Sequence, residues 1–155
     1  MSKEAMRIRG VNNVYGERTS GGAIGNVHTE GSLQELVINL TGELLNNTDL
    51  LEPVYIPAGA TIRGVDVTVD EVFVLGGTSP VVEIGTATSE ATNGVTLTEA
   101  NLETVQYVDA TAALAGTWNE ARFAADTLVG ISLEGTTPTA TATAGIAKVV
   151  IKYII

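Results

Sequence analysis

Apolar residues recur at every second position through much of this chain. Val65, Val67 and Val69 alternate with Gly64, Asp66, Thr68 and Asp70. That period of two predicts a strand over Thr61–Asp70 with one wet face. A parity change at Glu71–Leu75 predicts a bulge that carries the strand onward. Leu36, Ile38 and Leu40 also alternate. Ser32 and Glu35 have capping-box spacing and favour a helix there, but the alternation and the β-branched Val37 and Ile38 favour a strand, which is the reading adopted. Shorter strands follow at Val54–Ile56, Val81–Thr86, Gln106–Val108 and Thr127–Leu133. Ala147–Ile155 closes the chain, with Ala147, Val149, Ile151, Tyr153 and Ile155 on one side and Lys148 and Lys152 on the other. Val150 and Ile154 add apolar residues to that second side and suggest cover on both faces.

Turn residues separate these runs. Pro57-Ala-Gly-Ala60 reads as a turn with proline at its second position. Gly76–Pro80 reads as another turn, Asn93-Gly94 as the end of a hairpin loop, and Gly135–Thr143 as a Thr/Ala/Pro loop. Leu44–Leu51 reads as a loop with leucine contacts. Thr96 and Glu99 form a second capping box, opening one or two helical turns over Glu99–Val105. The state of Thr111–Trp118 stays open. Seven or eight short strands with frequent turns predict an all-β jelly roll or β-sandwich over residues 32–155.

Residues 1–31 break the pattern. Met1–Glu30 hold four of the eight bases (Lys3, Arg7, Arg9, Arg18) and three of the eighteen acids, with many Gly and Asn. The rest carries four bases against fifteen acids. Isolated apolar residues sit between glycines, so the segment reads as an extended arm whose side chains dock on something else, or as a tail without fixed structure. The docking residues expected for such an arm are Arg7, Ile8, Arg9, Val14, Tyr15 and Arg18.

Composition narrows the function. Aromatics are 5% of 155 residues, so the core comes from Val, Ile, Leu and Ala, and no stacking platform for bases is evident. A net charge of −10 argues against nucleic acid as partner, because phosphate needs clustered Lys and Arg. Cysteine is absent, which removes disulfides, thiolate metal sites and a Cys nucleophile. The first residues lack the apolar stretch of a signal peptide, and no run approaches the length of a membrane span. No cofactor is expected.

Candidate chemistry is sparse. His28 is the one histidine and has only Glu30 as a nearby acid. Asp66 and Asp70 share a strand face with Cα atoms ~13 Å apart, whereas a glycosidase pair needs roughly 5–9 Å between carboxyls. Glu99 and Glu103, one helical turn apart, read as surface. Gly21–Gly25 lacks the strand, helix and Lys-Ser/Thr of a phosphate loop. Asn46, Asn47, Asp49 and Glu52 gather hard oxygens but do not follow an EF-hand spacing. Trp118, the sole tryptophan, reads as core or as a sugar platform. No catalytic or metal residue is assigned.

The passage Tyr55-Ile-Pro-Ala-Gly-Ala-Thr-Ile-Arg-Gly-Val-Asp-Val-Thr-Val69 resembles an opening found in small β proteins of tailed-phage virions. Val81–Thr86, the Ala/Thr-rich middle and Val149–Tyr153 are similar too. The resemblance covers about residues 53–155 and leaves out the arm. It implies a jelly-roll or sandwich module that decorates or cements a capsid, made in the host cytoplasm and carried on the outer virion surface. The implied partner is the major capsid protein, with a homotrimer favoured and no nucleic acid or membrane bound. A phage tail or receptor- and glycan-binding module, with an aromatic cleft near Trp118 and Tyr107, is the alternative; a small hydrolase is the third.

Overall fold

The structure, a computed structural model, describes residues 33–119 and 121–155, with backbone alone for 137–139. The described residues form two four-stranded antiparallel sheets. In chain order the strands are β1 (Gln34–Thr41), β2 (Tyr55–Ile56), β3 (Thr61–Glu71), β4 (Leu75–Thr86), β5 (Gly94–Thr98), β6 (Tyr107–Asp109), β7 (Thr127–Ala142) and β8 (Ile146–Ile154). One sheet has the order β1-β8-β3-β6 and the other β2-β7-β4-β5. The pairs β1–β8, β2–β7, β3–β6 and β4–β5 are those of one long hairpin bent at the β4–β5 loop. Rolling that hairpin up adds the pairs β3–β8 and β4–β7. This is the jelly roll, the more specific of the two expected architectures.

The alternating valines do what their period dictates. Val65, Val67, Val69, Val149 and Ile151 face inward from the first sheet, and Val82, Ile84, Leu97, Val129 and Ile131 from the second. They form one core in which nearly all are fully buried. Leu36–Leu40 is strand, and Ile38 and Leu40 point inward. The parity change after Val69 is a bulge, since the β3–β8 register shifts between Val69 and Glu71; β3 then ends at Glu71 instead of running on. A second shift between Ile62 and Gly64 lets Ile62 join the odd-numbered valines inside.

Several local expectations are corrected. Gly76–Pro80 and Gly135–Thr143 are not simple connections. They lie within or extend the long strands β4 and β7, with register shifts around Thr78 absorbing the positive φ of Gly77 and Ser79. Proline and glycine mark bulges here, because pairing with a long neighbour outweighs local turn preference. Pro57 takes the first turn position, not the second: the Ala60 amide donates to the Pro57 carbonyl at 3.1 Å. Gly59 then sits at the third position with φ +84°, which a type II turn requires.

Leu44–Leu51 is short helix, not loop. Thr41 caps α1 (Gly42–Asn46) by accepting from the Leu44 amide, and a 3₁₀ turn covers Thr48–Leu50. The expected cap Thr96 lies inside β5, and α2 spans Glu99–Leu102. Thr98 caps it instead, with Asn101 Oδ1 accepting from the Thr98 amide at 2.9 Å. Thr111–Trp118 contains two 3₁₀ turns.

Candidate interaction surfaces

The expected arm residues Arg7, Ile8, Arg9, Val14, Tyr15 and Arg18, with His28 and Gly21–Gly25, lie outside the described residues. The remaining candidates take definite places. Trp118 is fully buried, and its Nε1 donates to Thr86 Oγ1 at 3.2 Å. It is core and presents no ring face to a sugar, which overturns the platform reading. The sequence signal for this was its apolar neighbourhood, Ala112–Ala115; the buried partner Thr86 lies 32 residues away and no local pattern reveals it.

The side-chain oxygens of Asn46 and Asn47 are spent on the fold, while Asp49 and Glu52 lie exposed. Asn46 acts as a strand mimic: its Nδ2 donates to the Ala142 carbonyl, and its Oδ1 accepts from the Ala142 amide at 2.9 Å. Asn47 Oδ1 accepts from the Asp49 amide. Among the described residues no group of three or more His, Cys, Asp or Glu could hold a metal ion. No helix among them is long and apolar enough to cross a membrane.

Asp66 is more than a solvated charge. On the outer face of the first sheet, Asp66 stands opposite Asp109 on β6 and Val150 on β8. Directly opposed like charges destabilise a sheet, and two neighbours offset this pair. Lys152 Nζ forms an ion pair with Asp66, whose side chain is only 14% exposed. Thr111 donates its amide to Asp109 Oδ1 at 3.0 Å. The consequences reach the titrating groups. Hydrogen bonding to Thr111 holds the Asp109 carboxyl below its ordinary value. Hydrogen bonding to Asp66 raises both the Lys152 ammonium and the exposed Tyr107 phenol. Tyr107 therefore belongs to a polar cluster with Asp66, not to an aromatic cleft with Trp118. Asp70 lies exposed near the end of β3 as the unpaired residue of the bulge.

The outer face of the second sheet is covered differently. Gly94, Gly85 and Gly130 lie in register across β5, β4 and β7. A Cβ on Gly85 would overlap the carbonyl oxygens of Asn93 and Glu90, and one on Gly130 would approach the Ala87 Cα at 2.8 Å. The glycine row is thus the floor on which the 87–93 loop lies. An open depression of about 260 Å³ borders this loop between Leu51–Pro53 and Leu128–Ile131, with Glu52 and Glu90 on its lining; Glu90 Oε1 accepts from the Thr88 amide at 3.1 Å.

Three connections meet at the opposite end of β4. Phe73 is buried, and its amide donates to the Leu102 carbonyl at 3.0 Å. The Thr143 amide donates to the Val74 carbonyl, and the Val69 amide to the Gln106 carbonyl. Gly145, at φ +121°, lies so close to the Phe73 ring that a Cβ would overlap it. Around this plug stand exposed Val72, Val74, Val105 and Ile146.

The fold and these surfaces define a jelly-roll β-sandwich without a built catalytic or metal centre among the described residues. No protein-family model matches the chain, and no curated protein matches it. A solved structure that is similar is a chain of the cyanophage Pam1 capsid asymmetric unit. The likeness has a TM-score of 0.54 and 16% sequence identity, and it covers 90% of this chain and 97% of that chain. At that identity it is a likeness of fold.

Proposed function

We infer that this protein is a structural component of a phage capsid, and within that class a decoration or cement protein of the outer surface. The observation that carries the reading is the likeness of fold to a capsid chain along nearly the whole of both chains. The jelly roll agrees with it, being an architecture common in viral shells. An interface protein needs area and valency, not an active site, and its small contacts are multiplied when many copies sit on one lattice. The acidic composition keeps it off the genome and suits the outside of a shell. Residues 1–31 are its anchoring arm, with Arg7, Ile8, Arg9, Val14, Tyr15 and Arg18 as contact residues, the major capsid protein as partner and a homotrimer as the assembled form.

The test is reconstitution. Shells of the major capsid protein are mixed with the full-length protein and with a version lacking residues 2–27, and bound protein is measured after sedimentation. The full-length protein binds at saturable, regularly spaced sites, while the shortened one stays in solution with an unchanged unfolding midpoint. Normal binding by the shortened protein overturns the arm assignment. Absence of binding by the full-length protein overturns the capsid reading.

A further inference from the structure

The end of the sandwich around Phe73 combines exposed aliphatic side chains with exposed acids. Val72, Val74, Val105 and Ile146 are 38%, 54%, 63% and 45% exposed. They project from connections tied to one another by the backbone hydrogen bonds at Phe73, Val69 and Thr143, so the patch is rigid. Valines on either side of an inward-pointing Phe73 cannot be retracted without unplugging the core. The same end carries exposed Asp70, Glu71 and Glu103, none of them in an ion pair among the described residues. Lys148 is exposed two residues beyond Ile146 on β8, opposite Thr68. Apolar patches rimmed by polar residues mark protein contacts, and the sign of the rim gives the sign of the partner.

A second copy does not supply that partner through its described surface. A symmetric contact would set three acids from each copy against themselves, with a single Lys148 per copy to offset them. Of the other bases there, Lys152 is held by Asp66, while Arg63 and Arg122 stand at the far end, where Arg122 bridges Thr61. We propose that the Phe73 end is the face by which the sandwich docks on the shell, and that its partner is a basic surface of the shell protein with aliphatic side chains between its Lys and Arg residues. This rests on the capsid reading above. It adds a second point of attachment beside the arm, so that each contact raises the effective concentration of the other.

The test uses the full chain and the same shells. Asp70→Asn/Glu71→Gln/Glu103→Gln removes the rim charge, and Val74→Ser/Val105→Ser removes the apolar patch. Unfolding midpoints close to that of the parent verify both folds. The charge variant is expected to bind about tenfold more weakly at low salt and to lose most of the salt dependence that the parent shows. The serine variant is expected to bind about tenfold more weakly at every salt concentration, with the salt dependence kept. If the parent binds and both variants bind equally well, the docking face is wrong while the capsid reading stands. If the parent does not bind, both fall. If the parent self-associates in solution and the charge variant is monomeric, the occupant is another copy and the shell assignment is overturned.

Discussion

The two ends of the jelly roll each hold a fully buried aromatic side chain, Trp118 and Phe73, yet they present different surfaces. At the hairpin end, Trp118 is sealed beneath polar loops. Its ring nitrogen is satisfied by Thr86, and Asn93 Oδ1 accepts from the Thr117 amide and hydroxyl. At the other end, Phe73 has no polar handle and is flanked by valines left in solvent. The hairpin end also leaves Tyr55 and Leu128 in solvent, so an apolar rim by itself does not distinguish the two ends. What sets the Phe73 end apart is the group of exposed Asp70, Glu71 and Glu103 beside its valines, which makes it the better place to look for a partner.

The largest expected effects test whether both aromatics really close their ends. Trp118→Ala and Phe73→Ala should each destabilise the protein by about 3–5 kcal/mol, read from urea unfolding at pH 7. A loss below about 1 kcal/mol for Phe73 would break the comparison, because the end would then be open. Next come the glycines against which each end packs. Gly85→Ala forces a methyl onto the backbone of the 87–93 loop, and Gly145→Ala meets both the Phe73 ring and an unfavourable φ. Overpacking of this kind costs about 1–3 kcal/mol, with Gly145→Ala the worse of the two because its strain is added.

Asn46→Ala should cost about 1–3 kcal/mol, since both backbone groups of Ala142 lose their side-chain partner. Thermal unfolding should show it, and Asn46→Asp should rescue only the bond from the Ala142 amide. Val74→Ala, by contrast, should change stability by less than about 0.5 kcal/mol. That small value at an exposed valine would sharpen the distinction between closing the core and facing a partner.

The smallest effect concerns pH. The Asp109 carboxyl is held below its ordinary value when folded. Its contribution is thus present above the unfolded pKa and is lost as pH falls through the folded one. Lys152 has the opposite sign: its contribution is present below the unfolded pKa near 10.5 and fades as pH rises through the raised folded value. Urea midpoints measured from pH 5 to pH 3 should fall less steeply in Asp109→Asn than in the parent. An identical slope would remove Asp109 from the acid limb.

Periodicity of two, read from Thr61–Asp70 and Ala147–Tyr153 alone, determined that this is a β protein and which faces are buried. Side-chain direction in a strand is a local property, so a local pattern reports it. The bulge after Val69 was legible for the same reason. Tertiary structure decided what depends on partners far along the chain. Gly76–Pro80 reads as a turn and Gly135–Thr143 as a loop until β4 and β7 pair along their length. Trp118 became core only when Thr86 met it, and the Asn46 oxygens went to Ala142, 96 residues away. The gathering of Val72, Val74, Val105 and Ile146 with three unpaired acids likewise needs three separate connections brought to one end. Rolling a hairpin into a jelly roll sets those contacts, and no window of sequence contains them.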